Sequence, residues 1–279
     1  MSKHNGLNNN LTGIVTGASS GIGSAIAILL AKKYKAKLIL NARTETNLRQ
    51  TAQLVEQAGG KAICVVGDIA QNDLAATIVD KCLESYGSID LLVNNAGFAK
   101  PGKVTAISYE DWQAVFAVNF FAPLKSTYRA LPHMIKAGKG KIVNIASIAG
   151  KISFPGSVCY SASKFALTGM SEGMAAELAN ENIDLITVCP GWVRSEFFSK
   201  AQLNDDNNPT KIAHETNARG WLMRNFLSIS SESCAQHTIS ALEKGGSQEI
   251  ILTAPGIIAE RMNALCPSLV PKIVARVRN

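Results

Sequence analysis

Tyr160 and Lys164 stand four residues apart in the run Tyr160-Ser161-Ala162-Ser163-Lys164. On a helix that spacing puts a phenol and an ammonium on one face. A phenol with its ordinary pKa of about 10 is a poor base at neutral pH, and a nearby cation stabilises its phenolate form. Such a pair can pass a proton to or from the oxygen of a bound molecule. Taken alone, it is also a common surface pattern. Ser147, just past the apolar run Lys141 to Ile145, offers a hydroxyl that can hydrogen-bond the same oxygen. Asn119 lies inside the helix-period stretch Tyr109 to Ala137, where Asn is a mediocre helix former. Read plainly, it is a polar helix position. Cys159 adjoins Tyr160 with no histidine near it in sequence, so packing explains it better than nucleophilic chemistry.

A second group of residues is suited to an anion. Thr16-Gly17-Ala18-Ser19-Ser20-Gly21-Ile22-Gly23 follows the first apolar run and leads directly into an apolar helix. Gly17 permits a tight turn, Gly21 lets the backbone approach a pyrophosphate, and Gly23 allows close packing of helix on strand. The free amides at such a helix start face an anion. The plain alternative is an ordinary strand-to-helix turn. The second apolar run ends Asn41-Ala42-Arg43-Thr44, without a carboxylate. An acidic side chain there would take the adenosine ribose hydroxyls of NAD, whereas the planar fork of Arg43 suits a 2′-phosphate. NADP(H) is therefore favoured over NAD(H). The competing reading makes Arg43 a solvated residue that begins a helix capped by Thr44, with Glu45 as its partner.

These groups need a scaffold that brings them to one edge. Leu11 to Thr16, Lys37 to Leu40, Lys61 to Val66, Ile89 to Val93, Lys141 to Ile145, Ile183 to Val188 and Glu249 to Leu252 read as strands bounded by turn residues. Between them Gly21 to Tyr34, Thr44 to Ala58, Gln71 to Tyr86, Tyr109 to Ala137, Ser157 to Asn182 and Ser231 to Lys244 have helical periodicity. Regular alternation implies βαβ units, and strands apolar on both sides belong in a parallel sheet covered by helices. The expected fold is α/β: a single Rossmann-like, doubly wound parallel sheet of about seven strands with helices on both faces. No linker, repeat or low-complexity tract divides residues 11–254. Residues 1–10 are polar and Asn-rich, and are expected to be a flexible N-terminus.

In order and spacing these motifs resemble the short-chain dehydrogenase/reductase family, Tyr-x-x-x-Lys type. Three residues separate the first two glycines, and Asn94-Asn95-Ala96-Gly97 ends the fourth strand. Ser147 follows the fifth, Tyr160 and Lys164 open the next helix, and Pro190-Gly191 ends the sixth, so the matches run from about Leu11 to Leu252. The resemblance implies a hydride transfer between NADP(H) and a carbonyl or alcohol, with Asn119, Ser147, Tyr160 and Lys164 as the catalytic set. It gives Asn119 a water-binding place in a proton relay, and gives Lys164 the nicotinamide ribose hydroxyls as well as the phenol. It assigns the cofactor to Gly17, Ser19, Ser20, Gly21, Ile22, Gly23, Arg43, Asp68, Asn95, Ala96 and Gly97, to Tyr160 and Lys164, and to Pro190, Gly191, Val193 and Ser195. Asp68 would meet the adenine, and Asn95 to Gly97 the ribose side. Pro190 to Ser195 would hold the carboxamide, with Ser195 where Thr is common in the family. Asn94 is expected to brace the sheet.

The rest of the chain bounds the alternatives. With 47% apolar and 18% charged residues the composition is that of a soluble globular protein, and no apolar stretch approaches the roughly 20 residues that span a bilayer. The cytoplasm is the expected location. The net charge of +7 is spread along the chain without an aromatic-interleaved patch, which argues against nucleic acid. Six scattered cysteines read as reduced thiols; Cys234 and His237 make at most half a metal site, so no metal is expected. Residues 195–230 are expected to form a substrate lid that no strand anchors. Phe197, Phe198, Trp221, Leu222, Met223, Phe226 and Leu227 favour a bulky apolar carbonyl compound there, or else pack the lid down. Lys200, Lys211, Arg219 and Arg224 leave room for an acyl carrier's phosphate, so a 3-oxoacyl carrier reductase is the alternative. A non-catalytic NADP-sensing protein is the reading from outside enzymology. In the tail, 255–279, Pro255-Gly256 is expected to break the chain path before a short helix from Ile257 to Leu265. Ile273, Val274 and Val277 follow on one face. The tail carries Arg261, Lys272, Arg276 and Arg278 against Glu260, and is expected to pack on the domain or on a partner subunit, with at most peripheral membrane contact. A homo-oligomer is expected.

Overall fold

The computed structural model describes residues 7–194 and 228–267. Strands β1 (Thr12–Thr16), β2 (Lys37–Ala42), β3 (Lys61–Val66), β4 (Leu91–Asn94), β5 (Gly140–Ile145) and β6 (Ile183–Cys189) coincide with the expected runs apart from end residues. Two short strands, β7 (Trp192–Arg194) and β8 (Ser228–Ser230), precede β9 (Gln248–Ile251). Seven strands form one parallel sheet in the order β3-β2-β1-β4-β5-β6-β9. The order reverses between β1 and β4. Ligands bind at such a switch point, beyond the carboxyl ends of the strands.

Helices α1 (Gly21–Tyr34), α2 (Glu45–Gln57) and α7 (Ser231–Lys244) cover one face. Helices α3 (Leu74–Tyr86), α5 (Ala122–Ala137) and α6 (Val158–Glu177) cover the other. Consecutive strand residues serve opposite cores. Val15, Leu40, Val93 and Val143 pack with Ile26, Leu30, Leu48 and Ile239, while Ile14, Ile39, Leu92 and Ile142 pack with Ile78, Cys82 and Met134. This is the physical reason the strands are apolar without alternation. Burying each such side chain stabilises the fold by about 1.5 to 3 kcal/mol.

Four expectations are corrected. The stretch from Tyr109 does not form one helix: α4 (Tyr109–Phe116) and α5 are separated by a π-helical turn, Ala117–Phe121, that holds Asn119 fully buried. Helix α6 stops at Glu177, short of Asn182, where the chain enters a turn with Asn182 at φ 54. The ends of the excursion after β6 are anchored, because β7 and β8 pair in parallel through Trp192 with Ser228, Val193 with Ile229 and Arg194 with Ser230. Lastly, Pro255 does not break the path. It sits in the first turn of α8 (Ala254–Leu265), where the missing N–H costs nothing because that amide has no intrahelical partner. Among the described residues no helix is long and apolar enough to cross a membrane.

Candidate active site

The glycine loop turns through Gly17 at φ +63 and Gly21 at φ +60, left-handed conformations that a side chain would strain. Gly23 is needed for a different reason: a Cβ there would collide with the Asn95 amide nitrogen and the Gly17 carbonyl. Asn95 donates from Nδ2 to the carbonyls of Thr16 and Gly17 at 2.9 and 3.1 Å. The Thr16 hydroxyl in turn accepts from the Asn95 and Ala96 amides at 2.9 and 3.0 Å. Asn95 therefore braces the glycine loop in addition to lining the cleft. Asn94 bridges β4 to Asn144 on β5 and Thr127 on α5, and accepts from Ser126.

The first turn of α1 carries no acidic side chain, and its N-cap residue Ser20 makes no side-chain capping bond. Its amides thus open onto the cleft with a partial positive charge. Arg43 is exposed at the end of β2 and also lines the cleft. The partner proposed for it in the competing reading is elsewhere: Glu45 binds Arg49, at 2.6 Å to Nη2 and 2.8 Å to Nε. Thr44 occupies the N-cap of α2 but makes no side-chain capping bond. Asp68 lies in the same lining, its Oδ1 accepting the Ala70 amide at 3.0 Å. An amide cradle flanked by an exposed guanidinium fits the phosphates of a dinucleotide.

At the far end of the same cleft are Ser147, Tyr160 and Lys164, all nine-tenths or more buried. Ser147 follows β5 and caps a short 3₁₀ turn, Ile148–Gly150, by accepting the Ala149 amide at 3.1 Å. Burial pushes the Tyr160 phenol up to about 12, opposed by a hydrogen bond with Ser147. Burial lowers the Lys164 ammonium to about 8. Its Nζ donates to the Ile145 carbonyl at 2.8 Å and stands 5.8 Å from the Tyr160 ring centroid. The expected lowering of the phenol by a neighbouring cation is not the net effect here: burial is the largest influence, and it raises Tyr160.

Asn119 does not line the cleft. Its side chain stitches three segments together from behind: Oδ1 accepts the Phe98 amide, while Nδ2 donates to the Phe98 carbonyl and to the Ser163 hydroxyl, at 2.9 to 3.0 Å. Ser163 then donates to the Tyr160 carbonyl at 2.7 Å. A Cβ on Gly97 would crowd Asn119 Oδ1 at 3.2 Å and touch Lys164 Nζ at 3.6 Å.

The cleft encloses about 260 Å³. Gly17, Ser19, Ser20, Gly21, Ile22, Arg43, Asp68, Asn95, Ala96 and Gly97 line it, with Ser147, Tyr160, Lys164, Pro190, Gly191 and Val193. Gly23 sits behind the loop, and Ser195 is outside the described residues. So are the lid's aromatic and basic residues between Phe197 and Leu227, and Ile273, Val274 and Val277 of the tail. The sequence reading missed Asn41, Ala42, Thr44, Gly67, Ile69, Phe98, Val118, Ile145 and Ala146 in the lining. Strand ends at the carboxyl edge were a signal for Asn41 and Gly67; Phe98 and Val118 arrive through the π turn, which has no comparable signature. Among the described residues no three potential ligands gather as a metal site. Cys159 is buried and its thiol is pushed up to about 11 by burial.

The short chain dehydrogenase family matches residues 12–206 of this sequence. An uncharacterized oxidoreductase of Thermotoga maritima is 36% identical over 206 residues, 74% of this chain and 80% of the relative. The 3-oxoacyl-[acyl-carrier-protein] reductase FabG of the same organism is 36% identical over 187 residues, 67% of this chain and 76% of the relative. A short-chain dehydrogenase/reductase of Burkholderia phymatum, solved in complex with NAD, superposes with a TM-score of 0.79 at 27% identity. That match covers 94% of this chain and 96% of the other.

Proposed function

This chain belongs to the short-chain dehydrogenase/reductase family and is an oxidoreductase of that kind; from that premise we propose that it reduces a bulky apolar carbonyl compound with NADPH. The observation that carries the proposal is one cleft with an amide cradle and Arg43 at one end and Ser147, Tyr160 and Lys164 at the other. When bound, the nicotinamide supplies the hydride. Ser147 Oγ orients the substrate oxygen, and Tyr160 Oη gives that oxygen its proton as negative charge develops there. A neutral phenol can give the proton that reduction needs. Lys164 Nζ, close to Gly97, is placed to meet the ribose hydroxyls and to offset the charge left on Tyr160. Asn119 holds Phe98 and α6 in register behind them.

Preference for NADPH rests on Arg43, exposed in the lining while Glu45 is engaged by Arg49. Phe98, Val118 and Val193 give the cleft an apolar share that supports an apolar substrate. The relatedness to a 3-oxoacyl carrier reductase favours an acyl thioester as the second reading. Initial rates with NADPH and NADH over a panel of steroid-like ketones, aliphatic ketones and 3-oxoacyl thioesters test both. Turnover of a large ketone faster than of any thioester, and faster with NADPH than with NADH, is expected. Cofactor binding without turnover of any member would instead support the sensing role.

The molecule is also proposed to assemble with copies of itself. Phe121 at the end of the π turn and Tyr128 and Ile135 of α5 recur every seventh residue and are 50%, 65% and 43% exposed, and Phe165 of α6 is 42% exposed. Such an apolar stripe on a charged helix is a surface for another helix.

A further inference from the structure

The C-terminal helix α8 touches neither end of the reaction, yet it is fixed to both walls of the cleft. Thr253, its buried N-cap residue, packs so closely on Gly191 that any Cβ at 191 would collide with its side chain. On the other side, a Cβ at Gly256 would lie 3.4 Å from Cδ1 of Ile148. Two turns further along, Asn263 donates from Nδ2 to the Lys151 carbonyl at 3.1 Å. Lys151 closes the turn that Ser147 opens, and its ammonium pairs with Glu249 of β9 at 2.7 Å. The turn 147–151 is thus held at its last carbonyl by Asn263 and at its last side chain by Glu249, while the backbone of α8 at Gly256 lies near Ile148.

We propose that α8 is a strut that positions Ser147, with Asn263 as the positioning residue, so that the C-terminal helix sets the rate of the reaction without contacting the reacting atoms. The inference rests on the proposed role of Ser147. Ser147 Oγ accepts the Ala149 amide within the clamped turn and bonds the Tyr160 phenol, so a turn that drifts moves the hydroxyl away from the site where the substrate oxygen must lie. Displacements of about an ångström at a reacting group cost up to roughly a hundredfold in rate. Asn263 is half-buried on a surface helix, and the midpoint of unfolding reports whether its replacement disturbs the fold.

The experiment compares Asn263→Ala, Asn263→Asp, Ser147→Ala and the double variant Asn263→Ala/Ser147→Ala in the full chain. The probes are NADPH and the best ketone of the panel. Asn263→Asp keeps the volume but not the donor, so it should fall with Asn263→Ala, each losing roughly tenfold to a hundredfold in kcat. The NADPH dissociation constant should not change. In the Ser147→Ala background the Asn263→Ala change should alter kcat less than about twofold, because residues acting as one unit are non-additive. Hydrogen exchange should show faster exchange of the Ala149 to Ile152 amides in Asn263→Ala, with the midpoint of global unfolding unchanged. Wild-type kcat in Asn263→Ala, or an equal loss with and without Ser147, overturns the strut. If Ser147→Ala keeps full activity, the catalytic reading of Ser147 is what fails. Exchange then decides the strut by itself, and unchanged protection of the turn overturns it.

Discussion

At the scale of single residues, Tyr160 and Arg43 separate the chemistry from the choice of cofactor. Replacing Tyr160 with Phe removes the proton donor and leaves the glycine loop untouched. Turnover should fall by about a hundredfold to ten-thousandfold while NADPH binding, followed by fluorescence titration, stays at the wild-type value. A variant with wild-type turnover would remove Tyr160 from the mechanism. Arg43→Ala acts at the other end. A charge-assisted hydrogen bond is worth about 1.5 to 3 kcal/mol, so the NADPH-over-NADH ratio of kcat/KM should drop by roughly tenfold to a hundredfold. Equal losses with both cofactors would show that the guanidinium has no part in reading the phosphate. Glu45 supplies no rival explanation, because it is engaged by Arg49.

At the scale of elements, the β1-to-α1 connection works only if the helix can lie against the strand end. Gly23→Ala places a methyl group against the Asn95 side chain and the Gly17 carbonyl. Backbone cannot yield as a long side chain can, so overpacking should cost about 1 to 3 kcal/mol. Both the unfolding midpoint and cofactor affinity should decline together in thermal melts and titrations. Retained affinity with lowered stability would mean that Asn95 gives way and the loop does not. The π turn at Ala117–Phe121 is the other element on which the site depends. By widening the helix where Asn119 enters, it lets one side chain hold Phe98 and, through Ser163, the carbonyl of Tyr160.

For the whole molecule, two expectations concern surfaces far from the cleft. If α5 is a subunit contact, Phe121→Arg combined with Tyr128→Arg should lower the mass measured by light scattering to that of one chain without unfolding it. An unchanged mass would exclude this face. The opposite edge of the sheet holds a carboxyl whose state depends on folding. Burial would raise the Asp90 carboxyl, but the Thr12 amide at 2.9 Å, Lys139 at 2.9 Å and the Thr12 hydroxyl at 3.0 Å together hold it below its usual range. A carboxyl lowered by folding stabilises the protein above its unfolded pKa of about 3.9, and that contribution is lost as pH falls through the lower folded value. Asp90→Asn should therefore unfold more easily at neutral pH, and its stability should depend less on pH below about 4. Parallel denaturation curves for the two proteins across that range would contradict this.

The sequence by itself determined the scaffold and most of the cleft. Seven apolar runs separated by helical periods leave little choice but a covered parallel sheet, since only that geometry hides both faces of such strands. Gly17, Gly21, Ser147, Tyr160 and Lys164 were legible because each follows a strand end or shares a helix face, and local geometry carries them to one edge. The tertiary structure decided what local geometry does not encode. The π turn depends on Asn119 finding Phe98 and Ser163, partners 21 and 44 residues away. The pairing of β7 with β8 joins segments on either side of the long excursion after β6, with no register signal in either short run. Lys164 reads from sequence as a group that lowers the phenol, but burial is a property of the folded neighbourhood, and it raises Tyr160 instead. Likewise Pro255 looks like a break in the sequence alone. It stands in the first turn of a helix whose N-cap is Thr253, where a proline costs little because its missing N–H would have had no partner.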